Sequence, residues 1–346
     1  MTDHAPHNSA APNLFRRLQH LWYHESYRGY AVQTVLVLAV LWAIFSVVQN
    51  VTENLDRQQI ASGFGFLDTT SGFVISQRLV DYSETSSYGR ALYVGFVNTL
   101  AVAIVGIFLS TVLGFAIGIS RLSSNWLLSR IATSYIELLR NIPLLLQIFF
   151  VYFGVLRTLP FPQEAYALGD LIFLDNRGLH FPILVWGADG FGWSVPELGQ
   201  FNFVGGAHLS PEYLSLLLAL TLYTAAFIAE IVRAGIQSVP AGQIEAARSL
   251  GLGNTQIMRF VTLPQALRVI IPPLTSQYLN LTKNSSLAVF IAYPELVSIS
   301  GITLNQTGQA IEVLSIAMIV YLTLSLLTSL AMNVYYSRTQ FAGRSA

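Results

Sequence analysis

Charge is scarce in this chain. Only 10% of its 346 residues are Asp, Glu, Lys or Arg, and mean hydropathy is +0.55. A soluble protein carries about 25% charged residues, so the deficit argues for a membrane protein. Cysteine is absent, which excludes a disulfide framework and thiolate metal sites. Lysine occurs once, at position 283, after Thr282 and inside an apolar run. A G-x-x-x-x-G-K-[ST] phosphate cradle is therefore missing. Gly251-Leu-Gly253 is too short to count as a dinucleotide fingerprint. Neither H-E-x-x-H nor G-x-S-x-G occurs, which weakens an intramembrane protease or esterase. His20 and His24 have the spacing of a metal pair, but an exposed helix face accounts for them more simply.

What the chain does have is long apolar runs. Tyr30–Gln49, Ala91–Ile119, Ile131–Leu156, Tyr213–Val239 and Ala310–Tyr336 each offer the length needed to cross about 30 Å of hydrocarbon. A sixth, Leu267–Tyr293, is more polar and carries Pro272-Pro273. These six predict an all-α integral membrane protein. The first 29 residues carry Arg16 and Arg17 and lack a small-residue cleavage site, so the first apolar run reads as a retained span.

Arginine sets the expected orientation. With six spans, one side collects Arg16, Arg17, Arg28, Arg121, Arg130, Arg233, Arg248, Arg259, Arg268, Arg338 and Arg344. The other holds Arg57, Arg78, Arg90, Arg157 and Arg177. The positive-inside rule then puts both termini in the cytoplasm. The organisation that follows is a cytoplasmic segment 1–29, an added span 30–49, a periplasmic segment 50–90 and a core 91–340. Within the core lie a periplasmic insert, 157–212, and a cytoplasmic loop, 240–266. Ser210-Pro211-Glu212 closes the insert as N-cap, N1 proline and first-turn acid. The insert is either a partner-docking element or a loop without a role. Ser110, Gly114 and Gly118 form a small-residue stripe suited to close helix packing.

Polar groups inside the spans are costly and usually face a bundle interior or an aqueous path. The third span holds Glu137, Arg140, Asn141 and Gln147, and Glu137 and Arg140 are spaced to neutralise each other. The fourth presents Tyr223, Phe227 and Glu230 on one face. In the fifth, Gln277, Asn280, Lys283 and Asn284 make one polar stripe, which fits a water-filled path or hydrogen bonds to neighbouring helices. An acid and a base flanking a path suit a zwitterion: Lys283 or Arg140 for a carboxylate, Glu230 or Glu137 for an ammonium. The same groups could equally close on one another.

Between the fourth and fifth spans the chain reads Glu245-Ala246-Ala247, three residues, Gly251, nine residues, then Val261-x-Leu263-Pro264. Gly251 can end a helix in the left-handed conformation, with Thr262 and Pro264 as cap and start of the next. This spacing resembles the EAA loop of ABC importer permeases, whose pattern ends in Ile-x-Leu-Pro, so Val261 is a conservative departure. In that family the loop is a coupling helix seated in a cleft of the ATPase subunit. The resemblance thus implies a coupling role for Glu245, Ala246, Ala247, Gly251, Leu263 and Pro264. "YIELLRNIPLLLQIFFVYFG" (135–154), "AAFIAEIVRAGIQSVPAGQIEAARSLGL" (225–252) and "LTKNSSLA" (281–288) resemble the polar amino-acid branch, including general L-amino-acid and glutamate/glutamine/aspartate/asparagine permeases.

What this resemblance implies is a type I importer fold, with a five-span core and one added N-terminal span, in a bacterial inner membrane. It also implies a second homologous permease, two ATPase subunits that bind ATP and Mg, and a periplasmic amino-acid-binding protein. No cofactor, metal or catalytic residue is expected in this chain, and no nucleic-acid partner. Two other readings stand beside it. One is a secondary transporter whose coupling proton rides on Glu230 or Glu137; the other is a membrane scaffold whose polar stripe tolerates apolar replacement.

Overall fold

The computed structural model describes residues 25–57, 62–187 and 190–341. The expectations for segment 1–24, for the Arg16, Arg17, His20 and His24 side chains and for Arg344 lie outside these residues. The chain divides into two units, Met1–Ser62 and Gly63–Ala346. In the first, helix α1 (Glu25–Arg57) extends past the apolar run at both ends, and its Gly29–Val51 stretch is long and apolar enough to span a bilayer.

The second unit opens with residues 64–87, whose Phe66, Ile75 and Tyr82 are buried against Tyr88 and Leu92 of helix α2 (Tyr88–Arg121) and against Leu296, Ile299 and Val313. The polar stretch before the second span is thus part of the folded core from Gly63 onward. Ser87 caps α2, its hydroxyl accepting from the Arg90 N–H at 3.3 Å. The small-residue stripe of α2 meets helix α5 (Pro211–Gln237). A Cβ on Gly114 would lie 2.6 Å from the Ile228 Cβ, and one on Gly118 would lie 2.6 Å from the Ala229 carbonyl oxygen. The backbones approach more closely than any side chain would allow, which is how small residues hold helices together in lipid.

The third span is not one helix. Helix α3 (Trp126–Asn141), capped by Asn125, stops at Ile142-Pro143. Helix α4 (Leu144–Phe149) then runs on through a π-helical turn, Phe150–Val155, and a 3-10 turn to Thr158. The two halves are bent by 105°. The uninterrupted span expected over Ile131–Leu156 is corrected accordingly. Proline disfavours helical geometry in the residue before it, and Ile142 is extended (ψ 129°).

The insert that follows is β-structure, so the all-α expectation is corrected there. Strands β1 (Tyr166–Leu168), β2 (Ile172–Asp175), β3 (Gly178–Phe181) and β8 (Ala207–Leu209) form one antiparallel sheet in the order β1-β2-β3-β8. Strands β4 (Ile183–Gly187) and β5 (Gly190–Ser194) make a separate hairpin, and β6 (Glu197–Leu198) pairs with β7 (Phe203–Val204). The physical reason is composition: short aromatic and β-branched stretches between glycines favour strands and turns.

Helix α5 starts as its sequence predicts, with the Ser210 hydroxyl accepting from the Tyr213 N–H at 3.2 Å and Pro211 in the first turn. The short helix α6 (Ala241–Ser249) follows it. Helix α7 (Asn254–Ile257), a π-helical turn (Met258–Thr262) and helix α8 (Leu263–Asn284) then run as one path, extended by a 3-10 turn to Ile291. Helix α9 (Leu296–Thr307) and the long α10 (Ala310–Phe341) complete the chain. Among the described residues, five helices can cross a membrane, or six if the bent pair is one span.

Candidate coupling surface and membrane pockets

The segment between α5 and α8 is built around one backbone motif. Gly251 has φ +81°, and its N–H bonds the Arg248 carbonyl at 2.9 Å while the Leu252 N–H bonds the Ala247 carbonyl at 3.2 Å. This pair of bonds is the Schellman closure, in which a residue of left-handed conformation satisfies the last carbonyls of a helix. Ala247 is buried beneath it, while Glu245 and Ala246 face outward. Leu250, 82% exposed, stands on the same short element. Among the described residues, no ion pair is made by the Glu245 carboxylate, so this short element exposes an apolar and an acidic side chain together.

The next helix begins earlier than the cap reading of Thr262 implies. Thr262 has helical φ and ψ, is buried and makes no side-chain cap. The chain is already helical from Asn254, with Gly253 N–H held by the Gln256 side chain at 2.9 Å. Pro264 is accommodated because a π-helical turn precedes it; the wider turn relieves the clash a proline ring makes with a carbonyl one turn back. Leu263 is half-buried and Pro264 exposed on this continuous helix.

Inside the bundle, five of the sequence-predicted polar-path residues converge. Glu137, Arg140, Asn141, Phe227 and Glu230 line one pocket of about 360 Å³ together with Ile136 and Arg121. Glu230 is not free there. Arg121 is ion-paired to one of its oxygens, and Arg233 reaches both at 2.5 and 3.0 Å. The expected Glu137–Arg140 pair does not form. Arg140 instead lies over the Phe227 ring, 4.9 Å from its centroid, and Asn141 donates to the Glu137 carbonyl at 2.7 Å. Tyr223 packs its ring 4.9 Å from that of Phe227. Arg121 and Arg233 were missed as site residues. The i, i+3 spacing of Glu230 and Arg233 was a usable signal, whereas nothing local connects Arg121 to Glu230.

Gln147 lies elsewhere. It is buried and donates to the Leu139 and Ile142 carbonyls at 2.8 and 2.9 Å, stitching the α3–α4 break, where the helix has lost its own donors. The α8 stripe is also apart from Glu230. Asn280 and Lys283 are exposed and Gln277 and Asn284 half-buried. Among the described residues none of the four side chains has a hydrogen bond or ion pair within this chain. Lys283 lines a second cavity, of about 390 Å³, with Ser286, Val297, Tyr321, Leu322 and Ser325. Beside it lies a carboxylate that sequence reasoning passed over. Glu295 is fully buried and caps α9 through the Val297 and Ser298 N–H groups at 2.9 and 2.8 Å, and it accepts from the Tyr321 hydroxyl at 3.0 Å.

Among the described residues, five helices long and apolar enough to cross a bilayer, with an exposed short helix between two of them, define a multi-pass membrane protein. The sequence pattern of the binding-protein-dependent transport system inner membrane component matches residues 106–340, and this chain belongs to that family. It is therefore a multi-pass inner-membrane component, and permeases of this kind lack an ATPase domain of their own. Among its relatives are YhdX of Escherichia coli (strain K12), 47% identical over 92% of this chain and 95% of the relative. Another is the general L-amino acid transport system permease protein AapQ of Rhizobium johnstonii, 45% identical over 93% and 94%. A crystal structure of an amino acid ABC transporter with histidines superposes with a TM-score of 0.54 at 25% identity. It covers 72% of this chain and 95% of that one.

Proposed function

We propose that this chain is one translocation subunit of an ATP-driven importer of polar L-amino acids, worked by alternating access. The amino-acid cargo is drawn from relatives such as AapQ and from the solved amino acid transporter. The observation that carries the coupling role is the Schellman-closed helix α6, with Glu245, Ala246 and Leu250 turned outward and Gly251 holding the turn. Its surface seats in an ATPase subunit, where ATP and Mg are bound, and transmits closure into α5 and α8. The assembly pairs this chain with a second, homologous permease, two ATPase subunits and a periplasmic binding protein. Both termini and α6 lie on the cytoplasmic side.

In the pocket beside Glu230, the charged groups without an ion pair among the described residues are Arg140 and Glu137. Arg140 receives the cargo carboxylate and Glu137 its ammonium group, since Glu230 is occupied by two guanidinium groups. A carboxylate paired in this way is a poor proton carrier, which disfavours Glu230 in the secondary-transporter reading and leaves Glu137 as the acid on which that reading rests. Purification of the tagged chain from the inner membrane tests the proposal. An ATPase subunit and a second permease should co-purify, and vesicles should take up L-glutamate only with ATP inside. Proton-driven uptake by a complex of this chain alone would overturn it.

A further inference from the structure

We propose that the groove between α2 and α10 binds one anionic phospholipid, its phosphate held by Arg90 and one acyl chain laid along the groove. The cavity has a volume of about 500 Å³. Its floor is Leu92, Leu324 and Leu296 of α9, all buried, and its walls are Tyr93, Ile319 and Leu327, all exposed. The Thr323 hydroxyl at its side is turned into its own helix, donating to the Ile319 carbonyl at 2.8 Å. A recess lined in this way suits hydrocarbon, because it offers an amino acid no charged or polar hook.

Length and shape favour an acyl chain. Helices α2 and α10 start at the same end of the bundle, where Tyr88 and Leu92 cluster with Val313 and Ala317. From Ile316 to Leu327 the groove follows α10 for about 16 Å at 1.5 Å per residue. That is the depth of one leaflet, half of a hydrocarbon core about 30 Å thick. Another helix would seat there poorly. Spans associate through small residues that let backbones approach, as Gly114 and Gly118 do against α5. Here long side chains, Tyr93, Phe96, Ile319 and Leu327, stand around a recessed floor, which takes a thin, flexible chain better than a cylinder.

Charge supplies the headgroup contact. Arg90, in the first turn of α2, donates from Nε and Nη2 to the Asp81 carbonyl at 2.9 and 2.7 Å. It lies over the ring of Tyr93, 5.4 Å from the centroid, and Tyr93 is itself a wall of the groove. These contacts fix the guanidinium without neutralising it. Among the described residues Arg90 makes no ion pair, whether with Asp68, Asp81, Glu84 or Glu312. A fixed, exposed guanidinium beside an interfacial tyrosine is prepared for a phosphate, whose oxygens its remaining N–H groups can take. A lipid of net negative charge fits better than a zwitterionic one, whose own ammonium competes for the phosphate.

The test uses the complex purified from the inner membrane and supplied with phosphatidylglycerol carrying a diazirine midway along one acyl chain. After illumination, adducts mapped by peptide mass should concentrate on Leu92, Phe96, Ile319 and Val320. Arg90→Gln, which keeps a donor for the Asp81 carbonyl, should cut these adducts at least fivefold. Adducts on Leu326 and Leu330, exposed on α10 outside the groove, should stay unchanged and show that the variant is folded. Val320→Trp, which fills the groove, should have the same effect. Phosphatidylglycerol added to the detergent-solubilised complex should raise its unfolding midpoint by several degrees, and should not raise that of Arg90→Gln. Groove adducts no denser than those on Leu326 and Leu330, or indifferent to Arg90→Gln, overturn the proposal, as does an equal rise with phosphatidylethanolamine. A photoreactive benzoylphenylalanine at position 96 that cross-links to a protein span would also overturn it, because a helix would then occupy the groove.

Discussion

Arg121, the last residue of α2, is ion-paired across the bundle to Glu230 of α5, whose carboxylate Arg233 holds from one turn away at 2.5 and 3.0 Å. The carboxylate is thus a tie between two helices whose glycines bring their backbones together. The charged groups of the same pocket without an ion pair among the described residues are Glu137 and Arg140, the latter over the Phe227 ring.

Glu230→Gln leaves two guanidinium groups facing each other without a counter-charge. Breaking a fully buried pair costs about 3–5 kcal/mol. Here the partners are 23–27% exposed, so screening brings the expected loss to about 1–3 kcal/mol. Thermal unfolding in detergent should show it. Arg121→Met combined with Glu230→Met should cost less than the two single changes added together, because the pair is removed as a unit. An unchanged midpoint in Glu230→Gln would count against the tie.

Gly251 at φ +81° divides substitutions by conformation. A β-branched side chain in the left-handed region costs about 1–2 kcal/mol, and Gly251→Val should unwind the Schellman turn and reduce uptake at least tenfold. Gly251→Asn tolerates that conformation and should retain most uptake. Glu245→Lys, on the outward face, should abolish uptake while membrane abundance stays normal. Uptake assays normalised to membrane protein decide both points, and normal uptake in Gly251→Val would sink the coupling role of the turn.

Much of this was legible because the signals were local. The Ser210-Pro211-Glu212 start of α5, the Gly251 stop of α6 and the Gly114 and Gly118 contacts each depend on a few adjacent residues and a helical period. What was not legible depended on distant or cooperative terms. Arg121 finds Glu230 across 109 residues of chain, and no spacing rule reaches that far. Gln147 reads as a polar side chain in a span, and only the break at Pro143 reveals the orphan carbonyls it satisfies. Thr262 reads as a cap because a π-helical turn, which lets a helix run through Pro264, leaves no pattern in the residues. The β-insert was missed because its strands are two to five residues long, too short for alternation to declare itself.

Gly114 has no room for a side chain. Its Cβ would sit 2.6 Å from the Ile228 Cβ and 3.0 Å from the Ala225 carbonyl oxygen. Gly114→Ala should push α2 and α5 apart and destabilise the fold by about 1–3 kcal/mol, the usual cost of overpacking. Ile228→Ala in the same chain should recover part of the loss by opening the space that the new methyl group needs. Failure of Ile228→Ala to recover any stability would show that the backbone contact at Ala225, rather than the side chain, limits the approach.

Among the described residues Lys283 has no acidic or hydrogen-bonding side-chain partner, and it lies in the last turn of α8. A cation there gains about 0.3–1 kcal/mol from the helix dipole. Lys283→Met should therefore leave the unfolding midpoint nearly unchanged and the complex assembled. If the stripe faces the cargo path, uptake should fall several-fold in the same variant. Wild-type uptake kinetics would remove Lys283 from the path and leave the dipole as its role.

His180 gives the insert a pH dependence. Its ring is buried beside Asp175, with Nε2 3.4 Å from Oδ2, stacks on His208 and lies tilted against Phe203. Burial pushes its imidazole below the ordinary value of 6.5, the neighbouring His208 pushes the same way, and Asp175 pulls back against both. The unfolded imidazole, near 6.5, therefore binds its proton first as pH falls. The unfolded state carries the larger proton load in that window, so stability is fully present above about pH 6.5 and is lost below it. Protection factors at the β2, β3 and β8 amides, with the intrinsic pH dependence of exchange divided out, should fall as pH is lowered from about 7.5 to about 5.5, while those of α5 stay unchanged. His180→Gln should flatten that dependence, and a pH response that persists in the variant would assign it to another group.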